Sequence, residues 1–334
     1  MKNAHAKNKV TFGIRLPNSG PFATAENVLS ASEEADDLGY DVLWLHDHIS
    51  WTDEMRNHFA AGSLEAWTDQ KPNFYESLTT ASFIGSRTTR STIGISGLVI
   101  SLRDPRVLAR QLLTIYALCE GKLTYAVGIG GVENDFDVLE IPWKERGRIA
   151  DEHLQALDVM FNDEILSSFH GDRVNFDKAG FFPKPKGIKR WVVGGSKPAL
   201  RRVSNFGDGW LVAHESPEEF LSHMNLLTSL LIENGRSIDD CICGPEIFTA
   251  VEDTYEQAYE IVAPALGDRL GAVEESINTS AFGTPEQVSE KLQAYIDVGA
   301  RHIEFKIIAL DFDHYMRTVR RIANEVIPAL KVKS

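Results

Sequence analysis

Short apolar runs rich in β-branched residues alternate with longer amphipathic stretches along nearly the whole chain. Val10–Leu16, Asp41–Leu45, Thr92–Ile100, Leu123–Ile129, Arg190–Val193, Trp210–Ala213, Cys243–Val251 and His302–Ile308 read as strands. Ala23–Leu38, Tyr75–Arg87, Pro105–Leu118, Lys144–Phe161, Pro198–Phe206, Pro217–Asn234, Thr254–Ala265, Pro285–Val298 and Asp311–Ile327 carry helical periodicity, several of them closed by a glycine. Eight strands, each followed by at least one helix, predict an α/β fold with a parallel sheet, closed as a (β/α)8 TIM barrel rather than left open. The runs Leu123–Ile129, Arg190–Val193 and His302–Ile308 are apolar throughout much of their length, as strands covered on both faces tend to be. No linker or compositional break interrupts the pattern, so residues 1–334 are expected to form one domain. Three stretches, about 48–74, 163–189 and 266–284, exceed an ordinary βα connection. They are expected as insertion loops around the C-terminal face of the strands, where barrel enzymes keep their chemistry.

Composition narrows the function. The formal net charge is −14, which disfavours nucleic acid and anionic membrane surfaces as partners and leaves small molecules. No apolar run reaches the length of a membrane span, and the basic N-terminus lacks the apolar segment of a signal peptide. Cys119, Cys241 and Cys243 give neither a disulfide framework nor a metal signature. A reduced, soluble, cytoplasmic protein without a metal is expected.

Four constellations carry candidate chemistry. His46-Asp47-His48 ends the second strand; Asp47 is placed to accept hydrogen bonds from a ligand and His48 to move a proton near neutral pH, or the segment is a polar cap. Alternation along a strand keeps the three side chains from converging on a metal. Ser96-Gly97 interrupts the apolar third strand, marking either a bulge or a close approach by a ligand. Gly128-Ile129-Gly130-Gly131 follows the fourth strand, and its spacing does not match a dinucleotide fingerprint. Gly194-Gly195-Ser196 opens a helix, as a phosphate cradle with Arg201 and Arg202 one turn on, or as a plain cap. The aromatics Trp51, Trp67, Phe74 and Tyr75 lie in or beside the first insertion, as walls of a substrate pocket or as a satellite core.

Taken in order, these segments resemble the luciferase-like monooxygenase superfamily of flavin- and deazaflavin-dependent oxidoreductases. The resemblance runs from Val10–Pro17 through Gly39–His48, Glu76–Thr80, Leu102–Pro105, Val127–Gly130, Pro142–Gly147, Val193–Ser196 and Gly207–Trp210 to Phe282–Val288 and Val326–Leu330. It implies a cofactor ring at the strand C-termini, a non-proline cis peptide at Ser96-Gly97 bulging against it, and a cofactor phosphate at Gly194-Gly195-Ser196. Asp47-His48, Trp51 and Leu64-Glu65-Ala66-Trp67 look like members that use coenzyme F-420, an 8-hydroxy-5-deazaflavin. In sugar-phosphate dehydrogenases of this type, the residue matching His48 is the catalytic acid/base, and the one matching Asn134 contacts the cofactor.

Two departures argue against a sugar-phosphate dehydrogenase: Gly131 stands where those enzymes have an acidic residue, and Ala213-His214-Glu215-Ser216 lacks their phosphate-binding lysine. The reading is therefore an F-420-dependent reductase or dehydrogenase. His48 is its catalytic residue, and Asp47, Ser96, Gly97, Gly130, Asn134, Gly194, Gly195 and Ser196 hold the cofactor. Trp51 and Trp67 line the substrate pocket. The resemblance also implies a homodimer. The alternatives are an FMN-dependent monooxygenase served by a separate flavin reductase, and a flavin-binding barrel without catalysis.

Overall fold

Residues 9–50, 73–266 and 277–331 are described by the structure, a computed structural model. The predicted apolar runs become eight strands: β1 (Thr11–Arg15), β2 (Val42–His46), β3 (Thr92–Val99), β4 (Leu123–Gly128), β5 (Lys189–Val193), β6 (Gly209–Ala213), β7 (Ile242–Val251) and β8 (His302–Ile307). Each pairs in parallel with its neighbours in chain order, except that β7 also carries a side strand, and β8 pairs with β1. The sheet is thus a closed eight-stranded parallel barrel, as the repeat predicts.

The surrounding helices are α1 (Ala25–Leu38), α2 (Ser77–Gly85), α3 (Pro105–Leu118), α4 (Glu133–Val138), α5 (Arg146–Phe161), α6 (Lys197–Phe206), α7 (Pro217–Glu233), α8 (Tyr255–Leu266), α9 (Pro285–Asp297) and α10 (Phe312–Arg321). Their starts are written in the sequence. Ser216 and Glu219 form a reciprocal capping box with Pro217 in the first turn of α7, and Thr284, Gln287 and Pro285 repeat it on α9. Outward residues such as Phe12, Ile14, Leu43, Ile95 and Tyr125 pack against these helices in one continuous core. Val42, Trp44, Ala126, Trp191 and Leu211 point the other way and fill the lower barrel interior.

Three features depart from expectation. The stretch 163–189 is not a loop at the C-terminal ends of the strands. It joins the end of α5 to the start of β5 and folds as an antiparallel hairpin, Ser167–His170 with Asn175–Ala179. Arg106 on α3 and Glu152 on α5 bind that hairpin's backbone at Asn175, Arg173 and Val174, so it climbs the outside of the barrel. Within 266–284, Ala281–Gly283 pairs in parallel with Thr249–Val251 and extends the rim beyond β7. Finally, the Ser96–Gly97 peptide is trans: among the described residues the cis bond is at Phe182–Pro183. The bulge at Ser96/Leu98 is present and is made by Gly97 at φ +78°, a left-handed conformation that glycine adopts without steric cost.

Candidate active site

The end of β2 sorts its three polar residues by the pleat. His46 and His48 lie on one side, their rings 6.5 Å apart, while Asp47 turns away. The Asp47 side chain is fully buried. It accepts two hydrogen bonds from Arg103 at 2.7 Å, one from the Ser77 hydroxyl at 2.7 Å and one from the Val99 N–H at 3.0 Å. Those four bonds use the acceptor capacity of a carboxylate, so Asp47 fixes the loop after β2 against β3, α2 and the segment before α3 rather than offering itself to a ligand. Arg103 is itself shared with Glu76, the cap of α2.

His48 is about one-fifth exposed and meets Asp135, whose Oδ2 lies 3.0 Å from Nδ1. The other oxygen of Asp135 accepts from the Ser50 N–H at 3.0 Å and hydroxyl at 2.9 Å. Burial pushes the Asp135 carboxyl up, but the bonds from His48 and Ser50 outweigh it and hold it below the ordinary carboxylate range. An ionised carboxylate on Nδ1 fixes the imidazole's orientation, an arrangement that serves proton transfer at Nε2. Phe74 packs edge-on to His48 at 5.5 Å; it is held at the rim because Asn73–Phe74 pairs with Ser19–Gly20 after β1. The Ser19 hydroxyl bonds Nε2 of His46.

Beneath these residues the barrel floor is charged. Glu246 and Glu304 are buried, and Arg15 and Lys306 lie half-buried against them. Arg15 Nε donates to Glu304 at 2.6 Å, Lys306 pairs with Glu246, and Ser96 Oγ donates to Glu246 at 3.0 Å. Burial would raise Glu246, yet Lys306 and Arg15 hold it at about 2. Burial pushes Glu304 up to about 7, with Arg15 pulling it down and Glu246 adding to the rise. Ser96 thus faces the floor.

The backbone around Gly97 is open among the described residues, since a Cβ there would meet none of their atoms within 4 Å, and the end of β4 at Gly128 comes against its carbonyl. A flat ring has room on that side of the bulge. Gly130, at φ +85°, has no such room: a Cβ would fall 2.6 Å from the Phe136 ring, so packing accounts for this glycine. Asn134 is half-buried in the first turn of α4, next to Asp135.

At Gly194-Gly195-Ser196, Gly194 is at φ +117° and its carbonyl accepts from Trp210 Nε1 at 2.9 Å. Ser196 caps α6. Arg202 is spent on Asp151 at 2.6 Å and does not serve this turn. Trp51 and Trp67 lie outside the described residues. No group of three or more His, Cys, Asp or Glu side chains is placed to hold a metal among the described residues.

Asp135 and the floor quartet are not among the site residues expected from the sequence. Asp135 stood beside Asn134 in the segment already singled out. Glu246, Glu304 and Lys306 were visible as charges at alternate positions inside apolar parallel strands, where a charge without a function is rare.

Residues 10–277 match the sequence profile of the family described as Luciferase-like monooxygenase. The chain is similar to an F420-dependent glucose-6-phosphate dehydrogenase of Nakamurella multipartita, 22% identical over 346 residues and 93% of each chain. It is also similar to an FMNH(2)-dependent dimethylsulfone monooxygenase of Pseudomonas fluorescens, 23% identical over 68% of this chain and 70% of that one. It spans 65% of the length of other curated relatives, which are 25% identical over 191 residues. Among solved structures, an F420-dependent secondary alcohol dehydrogenase superposes with a TM-score of 0.81 over 97% of this chain and 99% of that one, at 16% identity.

Proposed function

The chain belongs to the luciferase-like monooxygenase family, and from its site we propose that it is an oxidoreductase that moves hydride between coenzyme F-420 and a small organic substrate. The observation that carries this reading is the His48–Asp135 pair, set at the rim beside the glycine bulge of β3. The similarity to an F420-dependent dehydrogenase along 93% of both chains supports the choice of cofactor. Gly131 and the lysine-free segment Ala213–Ser216 still argue against a sugar phosphate as the substrate.

When bound, the deazaflavin ring accepts or supplies the hydride. The chain's own residues do the rest. In the oxidising direction the substrate hydroxyl gives its proton to His48 Nε2 as hydride leaves the carbon, and reduction runs the reverse. Asp135 holds Nδ1 and stabilises the imidazolium; Ser50 holds Asp135. Asp47 and Arg103 fix the loop that carries His48. The bulge at Ser96-Gly97 would receive the ring. The turn Gly194-Gly195-Ser196 would face the phosphate end.

The test is titration with F-420 and with FMN, followed by His48→Asn. Asn preserves bulk but cannot cycle a proton, so turnover should fall by about 10²–10⁴-fold with cofactor affinity held within a few-fold. Unchanged turnover would remove His48 from the chemistry. The similarity to an FMNH(2)-dependent monooxygenase favours a second reading, oxygenation with reduced FMN from a separate reductase. In that case FMN binds more tightly than F-420, and His48→Asn releases peroxide. The intact His48–Asp135 pair argues against a non-catalytic barrel.

A single-domain, cytoplasmic homodimer belongs to the same proposal. No helix among the described residues is long and apolar enough to cross a membrane. Phe83, Val107 and Leu118 on α2 and α3 leave apolar surface that a second copy would cover. Light scattering of the purified protein tests the dimer.

A further inference from the structure

The turn before α6 has the build of an anion site, and a carboxylate of the chain already stands on it. Glu215 lies in the loop between β6 and α7. A Cβ on Gly195 would fall 2.2 Å from its Oε1 and 3.3 Å from Cε1 of His223. The end of the Glu215 side chain thus occupies the space that a Cβ at Gly195 would take.

One contact holds that carboxylate, and two features fix the backbone that carries it. His223 Nδ1, on α7, meets Oε1 at 2.7 Å. The Tyr295 hydroxyl, on α9, donates to the Glu215 carbonyl at 2.6 Å. His214, the residue before, sits at φ +61°, a conformation that a non-glycine residue keeps only when its surroundings enforce it. The Glu215 side chain is 10% exposed, and its Oε2 is buried without a hydrogen-bond partner among the described residues. An unsatisfied buried carboxylate oxygen is costly, so the arrangement calls for a purpose.

Resting on the cofactor reading above, we propose that Glu215 is a specificity-determining residue: it contests the anion position of the glycine turn and so discriminates against a cofactor ending in a phosphate monoester. A monoester carries close to two negative charges at pH 7, and a phosphodiester carries one. Burial pushes the Glu215 carboxyl up and the bond from His223 opposes that rise; in its ionised form the carboxylate repels each charge brought to the turn, so the penalty grows with ligand charge. FMN ends in a monoester; the phosphate of F-420 is a diester; riboflavin has none. The pocket thereby disfavours FMN through repulsion, without an added contact to F-420.

The test is the dissociation constant of FMN, riboflavin and F-420 for the wild-type protein, Glu215→Gln and Glu215→Ala, with circular dichroism to verify folding. Glu215→Gln keeps the volume and a bond to His223 while removing the charge. It should tighten FMN by about 10- to 100-fold, as expected for removing one like charge a few ångströms away, and F-420 by less. Riboflavin should stay within about twofold, because no phosphate reaches the turn. Glu215→Ala should move the three ligands in the same order. If FMN and riboflavin shift together, or FMN does not shift in either folded variant, the proposal is overturned. Failure of every protein to bind any of the three overturns the cofactor reading, and this inference with it.

Discussion

The barrel interior has two halves built on the same strands, and they solve opposite problems. In the lower half Trp44, Trp191 and His302 meet edge to face, with ring centroids 5.1–5.8 Å apart. Glycines opposite them make room: a Cβ at Gly94 would lie 2.2 Å from Trp44, and one at Gly209 would lie 2.3 Å from Trp191. Two residues further along the same strands, Gly13 gives way to Arg15, Gly94 to Ser96, Gly244 to Glu246 and His302 to Glu304. Dry packing becomes a buried charge cluster within a single pleat. The lower half has a packing reason for these aromatics and the glycines that face them. The upper half has none for its charges, because a buried ionic cluster gives little net stability over apolar residues of the same volume. Its position directly beneath the rim that carries His48 fits the division seen in barrel enzymes, with stability at the bottom and chemistry at the top.

The largest effect that would break this comparison is in the upper half. Glu246→Ala leaves Arg15 and Lys306 as half-buried cations with one carboxylate between them. The unfolding free energy should drop by about 3–5 kcal/mol, the usual result of stripping one partner from a buried ion pair. Urea denaturation followed by tryptophan fluorescence reads it. Glu304→Gln removes a carboxyl that burial already holds at about 7, so near neutral pH it should cost about 1 kcal/mol or less. A loss below 1 kcal/mol for Glu246→Ala would mean that water reaches the cluster and that the two halves do not differ in the way described.

Next in size is the lower half. Gly94→Ala places a methyl group against the Trp44 indole, which the Trp44–His302 hydrogen bond of 3.0 Å keeps from moving. Overpacking of this kind costs about 1–3 kcal/mol. A neutral Gly94→Ala would show that the indole shifts freely and that the lower half is looser than its geometry says.

These two halves were not equally legible from the chain. Short apolar, β-branched runs marked the eight strands, and alternation along a strand implied that His46 and His48 would part from Asp47, as they do. What alternation cannot report is the partner across space. Arg103 is 56 residues from Asp47, and without it the aspartate reads as a free acceptor. The same holds for Asp135, 87 residues from His48. The hairpin at 163–189 escaped because its strands are short and polar, with Ser168, His170, Asn175 and Asp177 diluting the apolar signal. At Ser96-Gly97 the residues left a bulge and a ligand approach equally open; the bulge is present, but the cis bond that the resemblance implies is replaced by a left-handed glycine, which leaves the same trace in sequence.

The smallest prediction sharpens the comparison most, because the two halves titrate in opposite senses. His302 is buried and neutral, and burial lowers it to about 3. Its Nε2 accepts from Trp44 Nε1 at 3.0 Å, and its Nδ1 is 2.8 Å from the Thr11 hydroxyl, which in turn reaches the Arg301 carbonyl. Protonating Nε2 would set two donors face to face. An unfolded histidine takes its proton near pH ~6.5, so between there and about 3 the unfolded state holds the extra proton, and stability falls as pH falls. Glu304 runs the other way. Its folded value is raised to about 7 from 4.5, so the folded state holds the extra proton in that window. Its contribution is complete below 4.5 and is lost as pH rises through 7. From pH 6 to pH 5 the two slopes oppose each other, each at up to about 1.4 kcal/mol per unit. Glu304→Gln should therefore lose stability over that step by about 1 kcal/mol more than the wild type does. Adding His302→Gln, whose amide oxygen still accepts from Trp44, should flatten the curve again. If Glu304→Gln tracks the wild type from pH 6 to 5 in urea melts, the glutamate is ionised throughout and the floor carries no proton of its own.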